Sequence, residues 1–545
     1  MFIETVRIES LANNSYVVGS EQSGQCAVID PARDIDQYVN IVSKHGVRIA
    51  YALETHLHND FISGARELAA QTGCQVGSSA SGGLLYPSVR LQDDDTFDLG
   101  EFQLRILHTP GHTPEHISFM VEEQGEPRAV FTGGALMLGG AARVDLLGSR
   151  VAPYLARWLY QTIHGKLLKL PDSVQIYPTH GGGSFCSAAA VGGGEIPTSI
   201  GAEKEHNPFA AHTEEDAFVN FALTGLGSYP SYYRYMADIN RRGPDVLGGV
   251  PRLASLTPLF VRNQLDENAI MVDARGERIF NHEHVPGSFA VPFGDNFATW
   301  VGWLVPWGQP LVLLSAETSH HDAMVRQLIR IGFDRVNGYL DGGIDAWKTS
   351  GLPVETSDGI DLDTLKELSD GTVAPMILDV RQRNEYHAGH IQGALNIELG
   401  ELQEHLDGLP REIPVVTVRA AGMRASMGGQ YFEARRAGKC QGAGFRRYSG
   451  LDRPGLPGCH RARVSRIQSH QSRYGRRGLT GFSGSCATSF MATRINDPAT
   501  NPPIWAKKAT LTWDESPSEM RPWNSCQTNH NPSRIAARSS ITVIV

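Results

Sequence analysis

The sequence predicts an α/β protein of about three domains, and three observations carry that expectation. The polar cluster Thr55-His56-Leu57-His58-Asn59-Asp60-Phe61 follows an apolar run at 47–53 and precedes a helix-like start at 63–70. Two further histidines repeat the pattern, His112 after the apolar run 102–107 and His180 after Val174-Gln175-Ile176-Tyr177. Later in the chain, Ile270-Met271-Val272-Asp273-Ala274-Arg275 returns as Ile377-Leu378-Asp379-Val380-Arg381, the sign of a repeated unit. Strands that hand over to polar clusters and then to helices describe sheets with their chemistry at the carboxyl ends of the strands.

The bounds agree. A chain of 545 residues with 41% apolar and 20% charged residues suits a globular protein with several cores. A formal charge of −9 argues against a nucleic-acid partner. No apolar run approaches the roughly 18 residues of a membrane span. Residues 1–8 alternate like a strand and lack a signal-peptide core, so a cytoplasmic location is expected. The charge is uneven: eighteen basic and six acidic residues fall after 427, leaving +12 there and −21 before. That segment also holds four of the seven cysteines, Cys440, Cys459, Cys486 and Cys526, whereas Cys26, Cys74 and Cys186 show no metal or disulfide spacing.

Taken in order, residues 1 to about 170 alternate short strands with turns, with helices expected from Ile35 to about His45 and from Arg150 to Leu168. Asp30-Pro31 marks a structural strand-end turn. His56 and His58 are two apart in an extended segment and so face one side. His108 and His116, four residues either side of His112, suit local hydrogen bonding. After His180 comes Gly181-Gly182-Gly183-Ser184-Phe185-Cys186, a loop able to lie against a substrate, with Cys186 as a candidate contact to substrate sulfur. Helices within 216–236 close this first domain near residue 245.

The HxHxD at His56, His58 and Asp60, Pro110-Gly111-His112-Thr113, Thr132-Gly133 and Tyr177-Pro178-Thr179-His180 together resemble the metallo-β-lactamase superfamily. Within it the chain looks most like persulfide dioxygenases of the glyoxalase II-like branch, especially those fused to rhodanese repeats. The resemblance implies an αββα sandwich over 1–245. It also implies that His56 and His112 bind a metal. The carboxylate such enzymes carry after the TG turn is replaced by Gly134, so Asp145 is the expected third ligand, with Asp60 or a two-histidine site as alternatives. His58, Asp60 and His180 would orient ligands, bind water or contact substrate.

Hydrolases of this branch hold two metals and need a histidine where this chain has Phe61, which favours a mononuclear centre. Two imidazoles and a carboxylate suit Fe(II), one per chain, with zinc as the alternative. The implied reaction oxidises a low-molecular-weight persulfide, such as glutathione persulfide, with O2, giving sulfite and free thiol. The expected partners are these small molecules and further copies of the chain, with neither nucleic acid nor membrane. The competing readings are a zinc-dependent thioester hydrolase and a non-catalytic sulfur-relay scaffold.

The repeats, a strand ending in D-x-R followed by His284-Val285-Pro286-Gly287 or His390-Ile391-Gln392-Gly393, resemble the rhodanese fold, a doubly wound α/β domain. They occupy 250–355 and 359–427. A working rhodanese opens its anion-binding loop with a cysteine, and neither repeat has it. The first offers Ser315-Ala316-Glu317-Thr318, and the second puts Arg419 at the cysteine position of an otherwise matching loop that ends at Arg424. No sulfurtransferase turnover is expected. Beyond 427 the second repeat departs from its pattern, and the basic, aperiodic text of 428–545 is expected to lack a core or to be an out-of-frame reading.

Overall fold

The alternating amino terminus starts the first of two facing sheets. β1 (Phe2–Ile8), β2 (Asn13–Ser20) and β3 (Gln25–Ile29) pair antiparallel, and β4 (Arg48–Leu53), β5 (Gln75–Ser79) and β6 (Val89–Leu91) then add in parallel, in the order β1-β2-β3-β4-β5-β6. Parallel neighbours need crossovers, and the helices Asp36–His45 and Ala65–Thr72 supply two of them. The computed structural model describes residues 1–188, 197–224, 226–357, 359–360, 362–371, 374–410, 413–418 and 540–543.

The second sheet runs β12-β11-β10-β9-β8-β7. β7 (Thr96–Asp98), β8 (Gln103–His108), β9 (Ile117–Glu123) and β10 (Glu126–Gly133) form an antiparallel meander. β11 (Gln175–Pro178) joins β10 in parallel after the crossover helix Ala152–Gly165, and β12 (Thr198–Ser199) ends the sheet. Between the sheets, Tyr16, Val18, Ile29 and Leu53 pack on Leu104, Ile106, Phe119 and Phe131. Outside them, Tyr38, Val42 and Leu68 cover the first sheet, and Leu155, Leu159, Ile163 and Phe218 cover the second. The result is an αββα sandwich, and its layers bring the carboxyl ends of β4, β10 and β11 to one edge.

The two later units share one design. β13 (Ser255–Leu256), β14 (Ile270–Asp273), β15 (Phe289–Ala290), β16 (Leu311–Leu314) and β17 (Val336–Leu340) make a parallel sheet ordered β13-β17-β16-β14-β15. β18 (Gly359–Ile360), β19 (Met376–Asp379), β20 (Leu395–Asn396), β21 (Val415–Val418) and β22 (Ser540–Val543) repeat it as β18-β22-β21-β19-β20. The D-x-R motif has the same geometry in each. Arg275 grips Asp273 through Nε and Nη2 at 2.6 to 3.1 Å and reaches the Glu283 carbonyl; Arg381 does the same to Asp379 and the Gly389 carbonyl. The motif histidine stacks on the aromatic residue four before it, His284 on Phe280 at 3.9 Å and His390 on Tyr386 at 3.7 Å. Arg419 and Arg424 lie outside the described residues.

The sandwich and the repeats belong to one compact unit, Met1–Ala443 with Glu519–Val545. Arg330 pairs with Asp34 through two bonds of 2.7 and 2.6 Å, and its carbonyl accepts from Ile62 N at 2.7 Å. Phe185 meets Trp303 edge-on at 5.3 Å, and Tyr232 sits over Gly302, where no side chain would fit. The second repeat reaches the sandwich through Glu398, whose carboxylate accepts from Ser228 N at 2.9 Å. Among the described residues no helix is long and apolar enough to cross a membrane.

Removing one partner of a buried ion pair strands the other charge away from water, a loss of about 3–5 kcal/mol. Asp273 is fully buried and Arg275 is 7% exposed. Asp273→Ala is therefore expected to lower the unfolding free energy by that amount, read as a lower urea midpoint, and an unchanged midpoint would contradict the clamp.

Candidate metal centre

The edge where β4, β10 and β11 end is lined by polar side chains with almost no access to water. His58, His112 and His180 are fully buried, and His56 and Asp60 nearly so. His56, His112 and His180 each have Nδ1 held by a partner that fixes its proton. His112 Nδ1 lies 2.7 Å from the Arg143 carbonyl, which can only accept, so Nδ1 carries the hydrogen. Thr55 Oγ1 spends its hydrogen on Asp30 Oδ2 at 2.7 Å, so it accepts from His56 Nδ1 at 2.8 Å. His180 Nδ1 faces Asn13 Oδ1 at 3.1 Å and Asp60 Oδ2 at 3.4 Å, both acceptors once Asn13 Nδ2 donates to Asp60 at 2.6 Å.

Three imidazoles are thereby left with a bare Nε2, and none of these three atoms has a hydrogen-bond partner. His58 is turned the other way. Its Nε2 lies at ion-pair distance from two carboxylates, 3.1 Å from Asp30 Oδ1 and 3.2 Å from Glu54 Oε2, and neither ring nitrogen makes a hydrogen bond. Burying bare acceptor nitrogens costs free energy unless something fills them, and a divalent cation does so. His56, His58 and His180 offer donor atoms within 4.8 Å of one another; so do His112, His180 and Cys186. The residues fit a metal, and holding each ligand's second nitrogen is the usual way such sites fix ring orientation.

The electrostatics follow from burial. Desolvation, with neighbouring imidazoles, holds His56 well below its ordinary value, and desolvation takes His112 down to about 3. For His58, burial also lowers, but Asp30 and Glu54 outweigh it and push the ring up to about 10. Burial would raise Asp60, yet His180, His58 and Asn13 bring it below the usual carboxylate range.

Asp145 stands apart from the cluster. Both its oxygens are taken by Arg143, at 2.7 and 2.8 Å, so the structure places it in an ion pair rather than on the histidines. A short side chain two residues from a buried arginine meets that guanidinium first. Gly134 does adjoin His112, but a Cβ there would stand 2.8 Å from both His112 Cδ2 and Ala142 Cβ, so this backbone has no room for a carboxylate. Phe61 lies against His58, ring centroids 4.2 Å apart, as an apolar wall. His116 bonds Thr109 and Gly134 N, and His108 lies outside the cluster on the rim.

Sequence reasoning missed the groups that hold the ligands. Asp30, Glu54, Asn13 and Arg143 come from four places in the chain, and only the polar run Asn13-Asn14-Ser15 at the start of a buried strand hinted at one of them. Tyr232 donates to the Asp60 carbonyl at 2.9 Å, and Asn240 Nδ2 to the carbonyls of His58 and Phe61, so the later helix Tyr233–Arg242 and its approach brace the metal loop.

Residues 9–180 match the metallo-beta-lactamase superfamily, and 257–350 and 361–450 match the rhodanese-like domain. The chain belongs to the metallo-beta-lactamase superfamily and carries rhodanese-like domains after the metal domain. The mitochondrial persulfide dioxygenase of Bos taurus is 32% identical over 168 residues, which are 30% of this chain and 63% of that protein. A hydroxyacylglutathione hydrolase of Methylococcus capsulatus is 34% identical over 181 residues, 33% of this chain and 66% of that one. The chain thus spans less than two thirds of either relative. The crystal structure of a metallo-beta-lactamase from Staphylococcus aureus superposes with a TM-score of 0.56 at 28% identity, covering 62% of this chain and 98% of that one. That span is longer than a metallo-beta-lactamase domain alone.

Two outcomes follow. Asp145→Asn is expected to weaken metal binding by no more than the about 10–100-fold of an orienting group, while His112→Ala abolishes stoichiometric binding; plasma emission analysis of dialysed protein compares them. In metal-free protein, His56 and His112 have folded values below the unfolded 6.5. Their contribution is present above about pH 6.5 and is lost as pH falls toward about 3. Urea midpoints of chelator-treated protein should therefore decline below neutrality, and a flat profile down to about pH 4 would contradict the burial of neutral imidazoles.

Proposed function

We propose that this protein is an iron-dependent persulfide dioxygenase acting on a low-molecular-weight persulfide such as glutathione persulfide. The observation that carries the reading is the likeness to the persulfide dioxygenase of Bos taurus over 168 residues, beside a metallo-beta-lactamase match over 9–180 that holds all four site histidines. Phe61 supports it, because the metal loop has one donor fewer than a two-metal hydrolase of this superfamily needs.

Iron, when bound, supplies the redox chemistry toward dioxygen and sulfur that side chains lack. The chain's own residues hold and enclose. His56, His112 and His180 present bare Nε2 atoms whose direction is set by Thr55, Arg143 and the Asn13–Asp60 pair. Full burial keeps water and competing thiols from the reacting atoms, and Phe61 lines the wall beside His58.

The likeness to the Methylococcus hydroxyacylglutathione hydrolase favours a second reading, zinc-dependent hydrolysis of a glutathione thioester. Oxygen uptake by Fe(II)-reconstituted protein on adding glutathione persulfide separates the two. Uptake with sulfite formation, absent in His112→Ala, is the expected result. No uptake by protein that retains iron, together with thioester cleavage by the zinc form, would replace the first reading with the second.

A further inference from the structure

A fully buried thiol stands among the site histidines and is not used by either reading. Cys186 Sγ lies within 4.8 Å of a donor nitrogen of both His112 and His180, and those two nitrogens lie within the same distance of each other. The nitrogens aimed there are Nε2 in each case, since both Nδ1 atoms are engaged, and neither Nε2 has a partner. One residue, Arg143, ties the Cys186 backbone and the His112 ring together through its two main-chain groups. Arg143 N donates to the Cys186 carbonyl at 2.7 Å, while the Arg143 carbonyl accepts from His112 Nδ1 at 2.7 Å. Cys186 N is held in turn by Ser184 Oγ at 3.2 Å.

Charge points the same way. A divalent ion among neutral imidazoles needs an anion beside it in a site without water. Gly134 has no side chain, and both Asp145 oxygens belong to Arg143. Asp60 engages Asn13 and His180 through Oδ2, and its Oδ1 is buried without a hydrogen-bond partner. The Cys186 sulfur is the anion-forming group that shares a cluster within 4.8 Å with donor nitrogens of both His112 and His180.

We propose that Cys186 is a metal ligand, binding as thiolate with His112 and His180 on one ion. Ligation releases the thiol proton to solvent and forms one metal–sulfur bond, with no change of oxidation state. A soft donor of this kind selects zinc or iron over magnesium or calcium. The proposal rests on a metal being bound in this cluster and on neither of the two reactions.

The test is X-ray absorption at the zinc edge of the Zn(II)-loaded full chain. A sulfur neighbour at about 2.3 Å is expected, retained when Cys440, Cys459, Cys486 and Cys526 are all changed to Ser and lost in Cys186→Ser that still binds one zinc. If Cys186→Ser does not fold, a chain with Cys186 as its sole cysteine must keep the sulfur neighbour. Only nitrogen and oxygen neighbours in the unsubstituted chain would overturn Cys186 as ligand and leave the metal centre standing. A sulfur neighbour that survives Cys186→Ser would overturn it as well. Failure to retain zinc would overturn the proposal together with the metal centre, whereas loss of oxygen uptake alone would touch only the dioxygenase.

Discussion

The buried carboxylate of Asp30 is the constraint on which the metal edge depends. It sits at the end of β3 with φ of +49°, a left-handed conformation that few residues other than glycine hold. In that position it accepts from Thr55 N and Thr55 Oγ1, both at 2.7 Å, and from Thr179 Oγ1, and it lies 3.1 Å from His58 Nε2. Thr55 follows β4 in the first sheet and Thr179 follows β11 in the second. One charge therefore ties the two layers together at the edge where the histidines emerge. Burying a carboxylate is tolerable only when its lone pairs are matched, and here the matching groups are the residues beside the ligands. Charge burial and ligand placement are one arrangement.

The same economy explains why the histidines differ. His56, His112 and His180 have Nδ1 tied to an uncharged or carboxylate acceptor and turn a bare Nε2 toward the cluster. His58 instead faces two carboxylates, which outweigh burial and push its ring up to about 10, whereas burial holds His56 and His112 low.

The rhodanese-like repeats share one parallel-sheet architecture. In the first, Ser315 occupies the strand end where a nucleophile is expected, and its hydroxyl meets His321 Nε2 at 2.8 Å. What the repeats contribute among the described residues is contact with the metal domain. Arg330 reaches the backbone of Ile62, Gly302 makes room for Tyr232, and Tyr232 holds the Asp60 carbonyl. Glu398 holds Ser228, beside the Gly227 carbonyl that Arg143 uses. Both repeats thus touch the metal domain, the first at the metal loop and the second at Ser228.

What the chain's text determined by itself was whatever depends on local order. The apolar runs ending at His56, His112 and His180 specify strands with donors at their carboxyl ends, and the helix expected near 35–45 forms as Asp36–His45. The D-x-R pattern specifies a clamp between residues two apart, which is why both repeats were legible. What only the tertiary structure decided was which distant groups meet. Asp145 looked free to bind metal because its spacing from Gly134 is short, but a buried guanidinium in the same segment claims both its oxygens. Asp30 looked like a turn residue, and its role exists only because β4 and β11 end beside it. Nitrogen direction and the pairing of buried charges are set by packing between layers, and no local sequence pattern encodes that.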